Sequence, residues 1–222
     1  MASTLAFRHV VLDLDGTLVD TKDDLAAAVN VALGALGLPP QDPRTLLGYV
    51  GNGARVLLER ALGAAHGDRI DAGLDVFMPW YRAHLLDHAV VYAGLRAALE
   101  RLAAEGAVFS VLTNKPADMS AKILAGLDLE ALCPRLIAGD TLPVRKPDPA
   151  GLVQLVVAAG VPPTATLMVG DSAVDVATGR NAAIATCAVL WGFNGAAVRG
   201  AGADAEIATP AELVALCRDG LR

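Results

Sequence analysis

The stretch VVLDLDGT at residues 10–17 decides how the rest of this chain is interpreted. Its first three residues, Val10 to Leu12, form a short apolar run with β-branched members, which is typical of a fully buried strand in a parallel sheet. The run ends at Asp13, and a polar turn with Gly16 follows it. We therefore predict a buried strand that presents carboxylates at its carboxyl end.

Strand-like and helix-like segments alternate through the second part of the chain. This alternation predicts an α/β fold in which helices cover both faces of a Rossmann-like, doubly wound parallel sheet. The predicted strands cover residues 108–112, 136–138, 167–169 and 185–190, and the predicted helices cover residues 95–105, 119–127, 150–159, 174–183 and 211–218.

Between the first strand and this alternation, apolar residues recur at helical spacing only. The helical pattern covers residues 23–36, 54–62 and 74–88, and Gly51-Asn52-Gly53 forms a turn between them. We predict a small helical cap domain of residues 18–89, inserted into a catalytic core of residues 1–17 and 90–222. Such an insertion would lie above the carboxyl edge of the sheet, where open parallel sheets bind ligands.

Polar clusters follow three of the predicted strands: Asp13-Leu14-Asp15, Thr113-Asn114-Lys115 and Gly170-Asp171-Ser172, with Asp175 close behind. Each cluster alone has an ordinary explanation as a turn, a helix cap or an exposed charge. Together, however, converging carboxylates would repel one another unless a cation lay among them, and Mg²⁺ prefers such hard oxygen ligands. The convergence therefore predicts a magnesium site.

Composition and charge limit the classes of partner that the protein is expected to bind. The formal net charge is -6 without a basic run, which argues against a nucleic-acid partner. The first ten residues lack the features of a secretory signal, and Pro162-Pro163 interrupts the best candidate for a membrane span. Cys133, Cys187 and Cys217 have no paired spacing, so we expect reduced thiols. We therefore expect a cytoplasmic protein without a membrane partner.

Four ordered motifs resemble those of the haloacid dehalogenase superfamily. They are DLDGTLVD at residues 13–20, TNKP at 113–116, KPDP at 146–149 and GDSAVD at 170–175. The resemblance extends from Val10 to about Asn194. It implies an Mg²⁺-dependent hydrolase in which Asp13 attacks phosphorus and forms an aspartyl-phosphate, while Asp15 acts as acid and then as base.

The same resemblance implies the remaining roles. Asp13, Asp171 and the backbone carbonyl of Asp15 would ligate the metal, and Asp175 would lie in its first shell or just outside it. Thr113, the backbone of Asn114 and Lys146 would hold the phosphoryl oxygens. Lys115 is either an exposed lysine or a further group near the phosphate.

The cap segment and the residues WGFN at 191–194 are similar to those of phosphoglycolate phosphatases. This subgroup implies 2-phosphoglycolate as the small phosphorylated substrate. The sequence leaves open whether the enzyme is a monomer or a homodimer. The alternatives are a phosphatase for N-acetylmuramic acid 6-phosphate, a β-phosphoglucomutase-like enzyme and, in another class, a non-enzymatic binding module. Arg55, where the subgroup commonly has an acidic residue, is either a substrate-carboxylate ligand or an exposed helix charge.

Overall fold

The computed structural model describes residues 5–221, and within them the protein is an α/β fold built on a parallel sheet. The strands are β1 His9–Leu12, β2 Val19–Asp20, β3 Val90–Val91, β4 Val108–Leu112, β5 Arg135–Ile137, β6 Thr166–Gly170, β7 Ala185–Val189 and β8 Ala205–Ile207. Six of the strands described for this range form the main sheet, in the order β5-β4-β1-β6-β7-β8, and every pair in it is parallel. The predicted fold class is confirmed.

After β3, helices alternate with strands along the chain. In chain order the α-helices are α1 Lys22–Ala35, α2 Pro43–Leu47, α3 Ala54–Leu62, α4 Ile70–Ala83, α5 Leu95–Ala104, α6 Ala117–Gly126, α7 Ala150–Ala159, α8 Ala173–Asn181 and α9 Pro210–Asp219. Short 3-10 helices cover Ala64–Arg69, Pro163–Ala165 and Gly195–Ala201. Among residues 5–221, no helix combines the length and the apolar character that crossing a membrane requires.

The central strand β1 is buried on both faces, which explains its uninterrupted apolar run. Val10 and Leu12 belong to the larger of two hydrophobic clusters, whereas Val11 belongs to the smaller one. Successive side chains of a strand point to opposite faces, so each face of β1 packs against its own layer. A strand buried in this way carries no polar alternation.

The strand order reverses its direction at β1. β4 pairs with one edge of β1 and β6 pairs with the other, so that Leu12 aligns with Val111 and with Val169. Open parallel sheets bind ligands at such a reversal, in the crevice outside the carboxyl ends of the strands. The residues that follow β1, β4 and β6 therefore meet at one place.

The helices α1 to α4 lie between β2 and β3, which form a separate antiparallel pair with Val19 opposite Val91 and Asp20 opposite Val90. α1 and α3 both pack against α4. The larger hydrophobic cluster extends into these helices through buried residues such as Leu58 and Phe77. The exact boundaries of a cap domain at residues 18–89 stay a prediction.

Several elements differ from the sequence prediction. The helix predicted at 74–88 spans Ile70–Ala83 instead, and α2, β2 and β3 were not predicted. The Gly/Ala-rich residues 195–204, for which no element was predicted, contain a 3-10 helix and lead into β8. β8 carries little strand preference of its own, and its pairing with β7 places it in the sheet.

Candidate active site

Three buried carboxylates meet at the carboxyl ends of β1 and β6. Asp13 follows β1, Asp171 follows β6, and Asp175 lies in the first turn of α8. Each offers a carboxylate oxygen within 4.8 Å of those of the other two, and none of the three residues is more than 5% exposed. The structure thus brings together three of the predicted metal ligands.

Asp175 is held by the start of its own helix. Its Oδ2 accepts hydrogen bonds from the backbone N–H of Ser172 at 3.1 Å and from the Ser172 hydroxyl at 2.5 Å, which forms a capping box. Gly170 lies directly behind it, and a Cβ atom there would overlap the Asp175 side chain. The sequence GDSAVD thereby fixes one carboxylate relative to the strand that ends before it.

Lys146 supplies the positive charge of this cluster. Its Nζ lies 2.9 Å from Oδ1 of Asp13 and 2.6 Å from Oδ1 of Asp175, and its side chain is 1% exposed. Burial alone would lower the pKa of Lys146, but the carboxylates of Asp13 and Asp175 raise it above its ordinary value. Lys146 therefore stays charged among the aspartates.

One ammonium does not balance three carboxylates. Burial raises the pKa of Asp13 to about 7, with a further contribution from Asp175 and against the opposing charge of Lys146. Burial also raises the pKa of Asp171 to about 7, again reinforced by Asp175. Excess negative charge on clustered, buried, hard oxygen atoms is the environment that a divalent cation such as Mg²⁺ suits. The residues present therefore fit the predicted metal.

Asp15 lies two residues beyond Asp13 and turns away from the carboxylate cluster. Its carboxylate accepts a hydrogen bond from the Thr21 hydroxyl at 2.6 Å. It also pairs with the ammonium of Lys115, at 2.9 and 3.1 Å from its two oxygens. Lys115 in turn donates to the hydroxyl of Tyr81 on α4 at 2.5 Å, and its Nζ lies 4.5 Å from the centre of that ring. The interpretation of Lys115 as an exposed lysine was wrong.

Thr113 and Asn114 follow β4 and lie at the same edge of the sheet as the residues that follow β1 and β6. The N–H of Thr113 still belongs to the sheet, since it donates to the carbonyl of Ile137 at 3.0 Å. The side-chain amide of Asn114 donates to the carbonyls of Gly51 and Lys146, both at 3.0 Å. Asn114 thus connects the strand end to the inserted helices and to the loop that carries Lys146.

Five of these polar residues open onto a cavity of about 50 Å³ between the sheet edge and the inserted helices: Asp13, Asp15, Thr113, Asn114 and Lys115. The residues after β1 and β4 contribute its polar side, and the inserted helices contribute its mostly apolar side. Its lining consists of Asp13, Asp15, Leu25, Val50, Gly51, Gly53, Ala54, Leu57, Phe77, Met78, Tyr81, Thr113, Asn114, Lys115, Pro116 and Met119. A small molecule bound here would contact Asp13 and Asp15 together.

Residues 10–189 match the family model of haloacid dehalogenase-like hydrolases. The chain belongs to this family. The resemblance drawn from the four motifs is confirmed, and the hydrolase has close relatives of known name. A phosphoglycolate phosphatase of Chromobacterium violaceum is 38% identical over 218 residues, which cover 96% of this chain and 97% of the relative.

Two further relatives agree with this assignment. Phosphoglycolate phosphatase 1 of Pseudomonas aeruginosa is 40% identical over 194 residues, covering 84% of this hydrolase and 71% of the relative. The crystal structure of a predicted phosphoglycolate phosphatase from Haemophilus somnus superposes with a TM-score of 0.87 at 30% identity, covering 95% of this chain and 97% of that one.

In this hydrolase the segment after β7 packs directly on the carboxylate cluster. The backbone N–H and the side-chain amide of Asn194 approach Oδ2 of Asp171 at 3.3 and 3.4 Å, and the indole N–H of Trp191 donates to the carbonyl of Thr17 at 3.1 Å. A Cβ atom on Gly192 would overlap the side chain of Asp171. The sequence of this segment resembles that of the subgroup, but no role in the site was predicted for it.

The partners of Arg55 are acidic side chains of the protein and not the substrate carboxylate that was one of its two predicted roles. Its guanidinium lies 2.6 Å from Asp71 and 3.8 Å from Glu59, and the side chain is 53% exposed. It does not belong to the residues that line the cavity. These contacts support the interpretation of Arg55 as an exposed helix charge.

Proposed function

We propose that this hydrolase is an Mg²⁺-dependent phosphatase that cleaves 2-phosphoglycolate to glycolate and phosphate. The observation that carries the proposal is the placement of Asp13, with Lys146 beside it, and Asp15 around one small cavity. The names of the relatives at about 40% identity support the substrate. Family membership supports hydrolysis.

Asp13, Asp171 and Asp175, with the backbone carbonyl of Asp15, would hold the cation. When bound, Mg²⁺ supplies the positive charge that lets a negatively charged phosphoryl group approach a carboxylate nucleophile. The remaining positive charge comes from Lys146. Thr113 and the backbone of Asn114 would donate to the other phosphoryl oxygens, where charge is spread in the transition state.

In the first step a carboxylate oxygen of Asp13 attacks phosphorus, and the bond between phosphorus and the glycolate oxygen breaks. Asp15 gives its proton to that leaving oxygen, so glycolate departs as an alcohol. Asp13 now carries the phosphoryl group. The covalent step divides one difficult displacement into two easier ones.

In the second step Asp15, now a carboxylate, takes a proton from a water molecule as that water attacks phosphorus. The bond between phosphorus and Asp13 breaks, and inorganic phosphate leaves. Thr21 and Lys115 hold Asp15 in both steps through the contacts described above. The proton on Asp15 is then restored for the next turnover.

The names of the relatives favour glycolate over the alternatives as the leaving group. A purely structural metal site would not need the side chain of Asp15, and that carboxylate lies at the cavity. We therefore propose that the main binding partner of this hydrolase is a small phosphorylated metabolite.

The test is phosphate release from 2-phosphoglycolate, N-acetylmuramic acid 6-phosphate and glucose phosphates, with Mg²⁺ and with a chelator. We expect Mg²⁺-dependent turnover led by 2-phosphoglycolate and a loss of at least about 10⁴-fold in Asp13→Asn, which removes the nucleophile. The exposed Asp148, replaced in Asp148→Asn, serves as the control. Turnover that survives in Asp13→Asn would contradict the mechanism, and a lead by another ester would contradict the substrate.

A further inference from the structure

The cavity holds one lysine or arginine among its described lining residues, and that residue is Lys115. Most of the surface around it is apolar and comes from inserted-helix residues such as Leu57, Phe77 and Met78. The side chain of Lys115 is only 3% exposed. A buried ammonium in a largely apolar cavity is costly unless it is paired, so Lys115 depends on anionic or polar partners there.

Neighbouring groups fix the position of this ammonium. Asp15 pairs with it on the side of the sheet, while the hydroxyl of Tyr81 accepts a hydrogen bond from it on the side of α4. The ring of the same tyrosine lies 4.5 Å away, within the range of a cation–π contact. A lysine side chain normally loses considerable rotamer freedom when it binds a ligand, and here that freedom is already lost.

The proposed substrate has two anionic ends. Asp13, Lys146 and the residues after β4 account for the phosphoryl end. The other end is a carboxylate, and placing it in an apolar cavity without a cation would be strongly unfavourable. Arg55 does not fill this need, because its guanidinium pairs with Asp71 away from the cavity.

Geometry places Lys115 within reach of that carboxylate. A single methylene separates the carboxylate of 2-phosphoglycolate from the ester oxygen, and Asp15 is the group that protonates this oxygen. Lys115 lies 2.9 Å from the same Asp15 carboxylate. A substrate oxygen in contact with Asp15 therefore brings the neighbouring carboxylate to the ammonium.

We propose that Lys115, held in place by Tyr81, binds the carboxylate of the substrate and selects phosphate esters that carry an anionic group beside the ester oxygen. This inference rests on the proposed function and assigns the residue that recognises the non-reacting end. Tyr81 acts through Lys115 and is a positioning residue. Because Tyr81 belongs to α4 and Lys115 follows β4, the selecting group spans the inserted helices and the sheet.

A different role for Lys115 would be to orient Asp15 alone. Asp15 already has the Thr21 hydroxyl at 2.6 Å as a second anchor. An orienting role would affect every phosphate ester equally, because each of them needs the same proton from Asp15. A selecting role affects only esters with the carboxylate, so the two can be separated with paired substrates.

The experiment compares kcat/KM for 2-phosphoglycolate and for ethyl phosphate, whose leaving group has the same length but a methyl group in place of the carboxylate. The proteins are wild type, Lys115→Met and Tyr81→Phe, with Lys122→Met at an exposed lysine on α6 as the control. In Lys115→Met we expect the ratio of the two values to fall by roughly 30-fold or more, mainly through KM for 2-phosphoglycolate. In Tyr81→Phe we expect a smaller fall of about 3-fold to 10-fold, and in Lys122→Met no change.

Equal losses on both substrates in Lys115→Met would overturn the inference and leave the proposed function standing. A wild-type enzyme without preference for 2-phosphoglycolate over ethyl phosphate would instead overturn the proposed function, and the inference with it. If Lys115→Met does not fold, as judged by its thermal unfolding, Tyr81→Phe decides alone. An unchanged ratio in Tyr81→Phe then overturns the inference, and a lowered ratio supports it.

Discussion

The ammonium of Lys146 lies 2.6 Å from a carboxylate oxygen of Asp175, and both side chains are 1% exposed. This pair connects the loop after β5 with the first turn of α8. The same ammonium also contacts Asp13, so one lysine neutralises part of a cluster that would otherwise be entirely anionic. Under the proposed mechanism, stability and chemistry therefore depend on the same charge.

Replacing Lys146 by an uncharged residue of similar volume should leave the clustered carboxylates without their counter-charge. In Lys146→Met we expect the free energy of unfolding to fall by roughly 3 kcal/mol, because buried carboxylates lose their counter-charge. Phosphate release should fall by about 10³-fold, since a fixed positive charge at the phosphoryl group is lost. Urea denaturation in the presence of a chelator measures the first effect. An unchanged unfolding free energy, with Lys122→Met as the reference, would refute the electrostatic argument.

The carboxylate cluster predicts that the metal stabilises the fold. Mg²⁺ at a hundred times its Kd should raise the free energy of unfolding by about 2.7 kcal/mol, because the cation binds the folded state. In Asp171→Asn the melting temperature should respond to Mg²⁺ much less, since a charged ligand is missing. Thermal unfolding over a series of Mg²⁺ concentrations tests this. Asp148→Asn should respond as wild type does, and an equal response in Asp171→Asn would remove Asp171 from the metal site.

Close backbone approach at Gly192 leads to a steric prediction. A Cβ atom there overlaps the side chain of Asp171 and the carbonyl of Gly16, so Gly192→Ala should displace a proposed metal ligand. We expect a loss of about 1–3 kcal/mol in unfolding free energy and at least about 10-fold in kcat. Gly200→Ala is the matched control, because no atom within 4 Å meets a Cβ built there. Equal behaviour of the two variants would show that the loop adjusts freely.

His9 gives the fold a dependence on pH that is separate from the site. The imidazole is buried within the sheet, where it shares a hydrogen bond of 2.9 Å with the hydroxyl of Ser110. Burial, together with the charge of Arg135, lowers the pKa of His9 from 6.5 to about 4. Below pH 6.5 the unfolded chain binds a proton that the folded chain does not, so stability falls as the pH falls towards 4.

The size of this effect is bounded by the shift in pKa. It amounts to at most about 3 kcal/mol, reached near pH 4. Urea denaturation of wild type and His9→Gln at pH 7 and at pH 5 isolates it, because glutamine does not titrate but can still form hydrogen bonds. We expect His9→Gln to lose less stability than wild type between the two values. Identical losses would mean that the imidazole is protonated without unfolding.

The sequence predicted the convergence of the polar clusters because local patterns position them. Asp13, Thr113 and Asp171 each follow an apolar run, and parallel strands of one sheet end at one edge. The spacing from Asp171 to Asp175 is a helix start, which is again a local feature. These contacts needed no knowledge of the packing between distant segments.

Residues that depend on distant contacts were not predicted. The burial of Lys115 results from Tyr81 on α4, and the position of α4 above the sheet is set by packing of the inserted helices. The role of the segment at 191–194 follows from how the chain after β7 returns to Asp171. In both cases the signal lies in three-dimensional packing, which a single sequence does not encode in any local spacing.

The pairing of Val19 with Val91 brings the two ends of the inserted helices side by side. A tight turn can bridge neighbouring antiparallel strands, so a chain joined directly from Asp20 to Val90 would keep the same path through the sheet. The chain thus enters and leaves the inserted helices at a single narrow junction. Such a junction allows the inserted helices to be exchanged as a unit while the strand ends keep their arrangement.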